Sequence, residues 1–238
     1  MVGEQAMPPV SPNPCAWAAT ELFHDLNHDQ LAWLEKRLHP RTIPASVDLF
    51  TTDQAADVVY IICSGTVKIH SMQADGRDAI ISLLGAGDTV GEMGVFDGTH
   101  RSADVTTLEE TVLLWMDRDD FQACLRTMPT VTYNLVRIIS ARLRLANEQI
   151  QSLAMLDVYG RIARQMLAFA QKYGKPASNG DILIPIRLTQ GDIADMVGAS
   201  RKRVNQVMVT YKRRGLLAVD DESRITIHDA AGLATYCD

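Results

Sequence analysis

The hydrophobic period of this chain changes past Met116, and that change limits what it can fold into. From Thr42 to Leu114 apolar residues come in short β-rich runs parted by turns: Val47 to Thr51, Val58 to Cys63, Thr66 to Ser71, Ala79 to Leu84, Ser102 to Thr106 and Thr111 to Met116. Short strands so spaced form a β-roll or barrel. From about Thr130 to Leu156 the period is helical, and Val136, Ile139, Leu143, Ala146, Ile150 and Leu153 recur at alternating steps of three and four. Such a stripe is a coiled-coil seam. A helix that buried one stripe in its own domain would carry a wider apolar face, so the spacing favours a parallel dimer over a monomeric core helix.

Local signals place the boundaries. Leu22, Phe23, Leu26, Leu31, Leu34 and Leu38 read as short helices capping the sheet. Ala74-Asp75-Gly76-Arg77 is a hairpin turn, whereas Thr52 to Asp57 must turn without glycine. Asp117 to Phe121 caps a helical region that Pro129 interrupts before the long helix, which Asp157 ends. The expected segments are residues 1–19, a mobile arm with prolines at 8, 9, 12 and 14; 20–128, the roll; 129–157, the dimerisation helix and hinge; and 158–238, a second domain. The fold class is α+β.

At 238 residues and 47% hydrophobic, the chain suits two packed domains. The net charge of −6 argues against a nucleic-acid partner if spread evenly, but residues 200–214 hold six Lys or Arg and no acid. Cys15, Cys63, Cys124 and Cys237 form no metal or redox motif, and a chain of this size needs no disulfide staple. A reducing cytoplasm fits best. No apolar run reaches the ~18 residues of a membrane span, and no signal-peptide core opens the chain. His24 and His28 have ligand spacing but no third ligand nearby, so a solvated face is the better reading than a metal site.

One stretch is aimed at chemistry. After the Ala79 to Leu84 strand and a Gly85 to Asp88 turn comes Gly91-Glu92-Met93-Gly94-Val95-Phe96-Asp97-Gly98-Thr99-His100-Arg101-Ser102-Ala103. A short helical start presents unpaired N–H groups to an anion, and Gly91 allows close approach. Arg101 can add a planar guanidinium and Ser102 a hydroxyl. Glu92 would repel an anion, so it must face a donor such as a ribose hydroxyl. The bland alternative is an Arg101–Glu92 ion pair closing an ordinary loop.

These residues resemble the phosphate-binding cassette of the cyclic-nucleotide-binding domain. The resemblance implies a jelly-roll-like β-roll in which Arg101, Ser102 and the Gly91 turn hold the cyclic phosphate and Glu92 the ribose, with Met93 also in the nucleotide site. Two polar residues on the long helix, one from each subunit, reach the adenine in that family. Asn147 keeps one of them, and Ala146 departs from the other.

The second domain has its own signature. Thr189-Gln190 opens a helix with Ile193 and Val197 apolar, Ala194 where a second helix packs closely, and Gly198 at the turn. Ser200 caps a second helix with Val204 and Val207 facing inward. Arg201, Lys202, Arg203, Asn205 and Gln206 then lie where side chains meet base edges in a major groove, with Lys212 and Arg213 placed for phosphates and Thr189, Gln190 and Ser200 at the helix starts also expected to touch DNA. Strands Leu216 to Val219 and Arg224 to Ile227 suggest a wing, completing a winged helix-turn-helix. With Leu156-Asp157-Val158 and Gly160-Arg161-Ile162-Ala163 as the hinge, the chain from about Thr20 onward resembles the bacterial CRP/FNR transcription regulators.

That resemblance implies a homodimer that binds palindromic double-stranded DNA, contacts RNA polymerase, and takes cyclic AMP as allosteric effector, with no cofactor, metal or catalytic residue. The rival within the fold is a regulator that is effector-independent or answers to another small molecule. Enzyme chemistry would have to rest on Glu92 and Arg101 alone. Arg201 keeps the family's guanine-gripping arginine, while Lys202 replaces a glutamate that accepts from cytosine.

Overall fold

The computed structural model describes residues 16–72, 78–177 and 179–237. The proline-rich arm up to residue 15 and the turn at 74–77 lie outside the described residues.

The first half builds two antiparallel sheets that face each other. β1 (His39–Ile43), β8 (Thr111–Asp117), β3 (Val58–Ser64) and β6 (Thr89–Val90) form one, in that order. The other runs β2 (Asp48–Phe50), β7 (Asp104–Thr107), β4 (Val67–Met72) and β5 (Asp78–Leu84). Strand β3 shows why this closes: successive side chains point to opposite faces, and both faces are apolar. Tyr60 and Ile62 join Phe50, Val67, Leu84, Val105 and Leu113 between the sheets. Val59 and Ile61 point the other way, into a core with α1 (His28–Glu35), α3 (Arg118–Thr127) and the start of α4 (Pro129–Met155).

The expected strands match β2, β3, β4, β5, β7 and β8 to within two residues at each end. Strands β1 and β6 were not expected. Pro40 and Arg41 give β1 a poor strand pattern, but it pairs along β8 from His39–Trp115 to Ile43–Thr111. His24 lies against Asp25 at 2.9 Å with both exposed, and among the described residues no cluster of metal-ligating side chains occurs. Cys124 is buried as a free thiol, while Cys63 is disulfide-bonded, which chain length alone did not anticipate.

Helix α4 is built from two stripes. Val131, Leu135 and Ile138 are buried on the roll, and buried Asn134 donates to the carbonyls of Leu22 and His24 at 3.1 and 2.9 Å. The expected seam is a separate stripe. Val136, Ile139, Leu143, Ala146, Ile150 and Leu153 are all exposed in the single chain, Leu143 and Ile150 by 62% and 65%.

Asp157 caps α5 (Val158–Tyr173) by accepting from the Gly160 N–H at 2.9 Å. Beyond it lie β9 (Lys175–Pro176), β10 (Ile182–Ile184), α6 (Gln190–Val197), α7 (Arg201–Arg213), β11 (Leu217–Val219), β12 (Ile225–Ile227) and α8 (Ala230–Ala234). Strands β11 and β12 pair as the expected wing, extended by β10 and β9 into one sheet. Gly160 is required by packing: a Cβ there would sit 2.5 Å from the Tyr236 carbonyl oxygen. This core also takes in Ile80 and Leu83 of the roll, so the two halves share apolar packing. No helix among the described residues is long and apolar enough to cross a membrane.

Candidate functional site

Gly91 stands at φ 87°, in the left-handed region, and its backbone turns β6 into the short helix α2 (Glu92–Asp97). A Cβ on Gly91 would lie 2.6 Å from Arg101 Nη1, so glycine is needed for close approach as well as conformation. Arg101 is 7% exposed and folded back under this turn. Its Nη1 donates to the Gly91 carbonyl at 3.0 Å and its Nη2 to the Val58 carbonyl at 2.9 Å. Burial lowers the Arg101 pKa from its ordinary value, an effect that Tyr60, Asp57 and Glu92 partly offset.

Glu92 does not pair with Arg101. It is 2% exposed, and its Oε1 accepts from Arg142 Nη1 at 2.7 Å. The second Arg142 amino group donates to the Thr89 carbonyl, so one guanidinium from α4 clamps both ends of the segment that carries Gly91. The ion-pair alternative from sequence is therefore corrected in its partner. Arg142 was missed because a lone arginine in a helix reads as solvated; its place beside the seam residue Leu143 was the only available hint.

Among the described residues, three polar atoms at this end lack partners although buried: Arg101 Nε, Glu92 Oε2 and Thr89 Oγ1. Each such atom costs roughly 1–3 kcal/mol, so this pocket stores a demand for a donor and an acceptor. Arg101 and Glu92 line a cavity of about 860 Å³, together with Met93, Ser102 and, from α4, Ile139, Arg142 and Ala146. Met93 and Ser102 are exposed at its edge. Asn147 is exposed and does not line the cavity of its own chain. Ala146, which does, has no side-chain group to hydrogen-bond a base.

The far side of the cavity belongs to the second domain. Asp88, four residues before Glu92, accepts from the Tyr173 hydroxyl at 2.6 Å and pairs with Lys172 at 2.8 Å. Burial, with Asp88 beside it, pushes the Tyr173 hydroxyl pKa far up. Neither contact was visible in sequence, since the partners are more than eighty residues apart.

In the helix-turn-helix, Gly198 turns at φ 63° and Ala194 is buried where α6 and α7 meet. Ser200 caps α7 by accepting from the Arg203 N–H, and Val204 and Val207 are buried. Arg201, Lys202, Arg203, Asn205, Gln206, Lys212 and Arg213 are all exposed, as expected. Arg203 lies over the Tyr159 ring at 5.2 Å and donates to Gln206 Oε1 at 3.3 Å. Thr189 is committed elsewhere: its hydroxyl and N–H both engage Asp192 in a capping box, which leaves Gln190 half-buried at the first position of α6.

A two-sheet roll with a glycine-glutamate and arginine cassette, joined by a long helix to a winged helix-turn-helix, defines a ligand-binding module fused to a DNA-binding module. Residues 40–128 match the family model of the cyclic nucleotide-binding domain, and residues 160–236 match the Crp-like helix-turn-helix domain. The chain is 34% identical over 217 residues to the CRP-like cAMP-activated global transcriptional regulator of Mycobacterium tuberculosis, covering 91% of this chain and 96% of that one. It is 28% identical over 200 residues to the cyclic AMP receptor protein of Thermus thermophilus, covering 82% and 87%. The fold is shared with FixK2 from Bradyrhizobium japonicum, at a TM-score of 0.74 and 18% identity over 84% of this chain and 98% of that one. The chain belongs to the CRP/FNR family of transcription regulators.

Proposed function

We propose that the chain is a homodimeric regulator whose affinity for a palindromic operator is set by cyclic AMP. The observation that carries this is the unmet set at the cassette: Arg101 Nε–H, a donor on a cation, beside Glu92 Oε2, an acceptor. A cyclic phosphate satisfies the first and a ribose hydroxyl the second. Gly91, Met93 and Ser102 complete the phosphate end, and Arg142 keeps Glu92 in place from the long helix. In this reading the nucleotide is an effector and not a substrate.

The exposed α4 stripe is the proposed dimer seam. Asn147 sits outside its own cavity, so the base contact it offers is to the nucleotide of the partner subunit. Ligand bound against α4 then favours one packing of the paired helices and, through Asp157, one spacing of the two α7 helices. Those helices read half-sites about 34 Å apart, with Arg201, Lys202, Asn205 and Gln206 toward base edges, Ser200, Lys212 and Arg213 toward phosphates, and RNA polymerase as further partner.

Ala146 favours a second reading, in which the same fold acts without an effector. Calorimetry with cyclic AMP and operator titrations with and without it decide between the two. Binding with a change in operator affinity of roughly 1–3 kcal/mol supports nucleotide control; no heat and equal affinities support the rival.

A further inference from the structure

The contacts of Arg101 are two carbonyls and a ring, and among the described residues none is a carboxylate. A guanidinium withdrawn from water without a carboxylate in contact is costly, and Asp57 and Glu92 nearby offset the cost only in part, so the wall has a further contribution to make. Phe50 is in position to do so. Arg101 Cζ lies 4.0 Å from the centre of the Phe50 ring, whose face carries partial negative charge. Phe50 is itself buried, and the Tyr60 ring is stacked on it with centroids 6.2 Å apart and planes 21° apart.

The chemistry of that offset matters for binding. A carboxylate would neutralise Arg101 more fully, but it would occupy the N–H groups and have to be displaced by an incoming anion. An aromatic face attracts the cation without taking a hydrogen bond. Among the described residues two of the Arg101 N–H groups have partners, so the others remain for a ligand.

We propose that Phe50 is a positioning residue for the phosphate-binding guanidinium, holding Arg101 flat between its ring and the carbonyls of Gly91 and Val58 with its anion-binding edge unpaired. This rests on the reading of Arg101 as a phosphate ligand. Phe50 also lines the cavity, so its action through Arg101 must be told apart from direct contact with the nucleotide.

A double-mutant cycle on the full chain does this, with cyclic AMP titrated to millimolar concentration in equilibrium dialysis. Phe50→Leu, which keeps an apolar filling and removes the ring, is expected to weaken binding about tenfold. Phe50→Tyr should restore it. In an Arg101→Ala background, Phe50→Leu should cost nothing further. Unchanged affinity in the single Phe50→Leu variant would overturn the proposal, as would an equal loss with and without Arg101, which would make the ring a direct contact or a packing group. If Arg101→Ala alone binds like the unaltered chain, the phosphate assignment falls and takes Phe50 with it; if Arg101→Ala loses affinity and Phe50→Leu does not, only the Phe50 role falls.

Discussion

Arg101 and Arg201 each bring a guanidinium to the start of a helix, both proposed above to meet an anion, and the structure treats them in opposite ways. Arg101 is 7% exposed, held by two carbonyls and the Phe50 ring, and leaves its Nε without a partner. Arg201 is exposed at the first position of α7, directly after the Ser200 cap. The first has met its desolvation and ordering costs during folding, so under the proposed function a small ligand would meet a rigid clamp. The second would keep its freedom and its water until a large partner arrives. Rigid, buried groups suit a ligand with few atoms to recognise; mobile, solvated ones suit a polyanion that must be scanned at many sequences.

The comparison breaks most completely if the regions are uncoupled. Both depend on α4, so Ile150→Glu should place a charge in the proposed seam at a cost of about 3–5 kcal/mol for an uncompensated burial, dissociating the dimer and collapsing operator affinity. Light scattering that still reports a dimer would point to a different interface. Next in size, Arg101→Ala should cost on the order of 2–5 kcal/mol of cyclic AMP affinity, because the contact is charge-assisted and desolvated. Calorimetry at two salt concentrations sharpens this, since a buried contact should respond little to screening.

The α7 effects should be smaller and behave differently. Arg201→Ala should lose roughly 1–3 kcal/mol of discrimination at a single base pair, read by selection from a random DNA pool, with no change in nucleotide binding. Smallest, Lys212→Ala or Arg213→Ala should weaken all sequences alike and lower the slope of affinity against salt by about one. A sequence-dependent effect of Lys212→Ala would show that this residue reads bases.

Much of this was legible in one dimension because the signals are local. The caps at Asp117 and Ser200 form as expected, and those at Asp157 and Thr189 are equally local, since each bonds to an N–H three positions on. The exposed apolar stripe of α4, too, follows a spacing rule within one helix. What escaped was contact at a distance. Strand β1 exists because β8 offers it an edge, whatever Pro40 contributes. Arg142 reaches Glu92 across fifty residues, and Tyr173 reaches Asp88 across eighty-five. Thr189 was legible as a cap, yet capping is what engages its hydroxyl.

The sequence by itself therefore determined the order of the modules, the turn at Gly91, the helix-turn-helix and the identity of the charged groups, because periodicity, capping and glycine conformation act over a few residues. Only the tertiary structure decided which charge meets which. Whether Glu92 pairs with Arg101 or Arg142 depends on how the roll packs on α4. Whether Arg101 is neutralised or left with an unpaired edge depends on Phe50 arriving from another strand. Those outcomes follow from close packing of segments distant along the chain, where burial turns a weak surface interaction into one that sets the site.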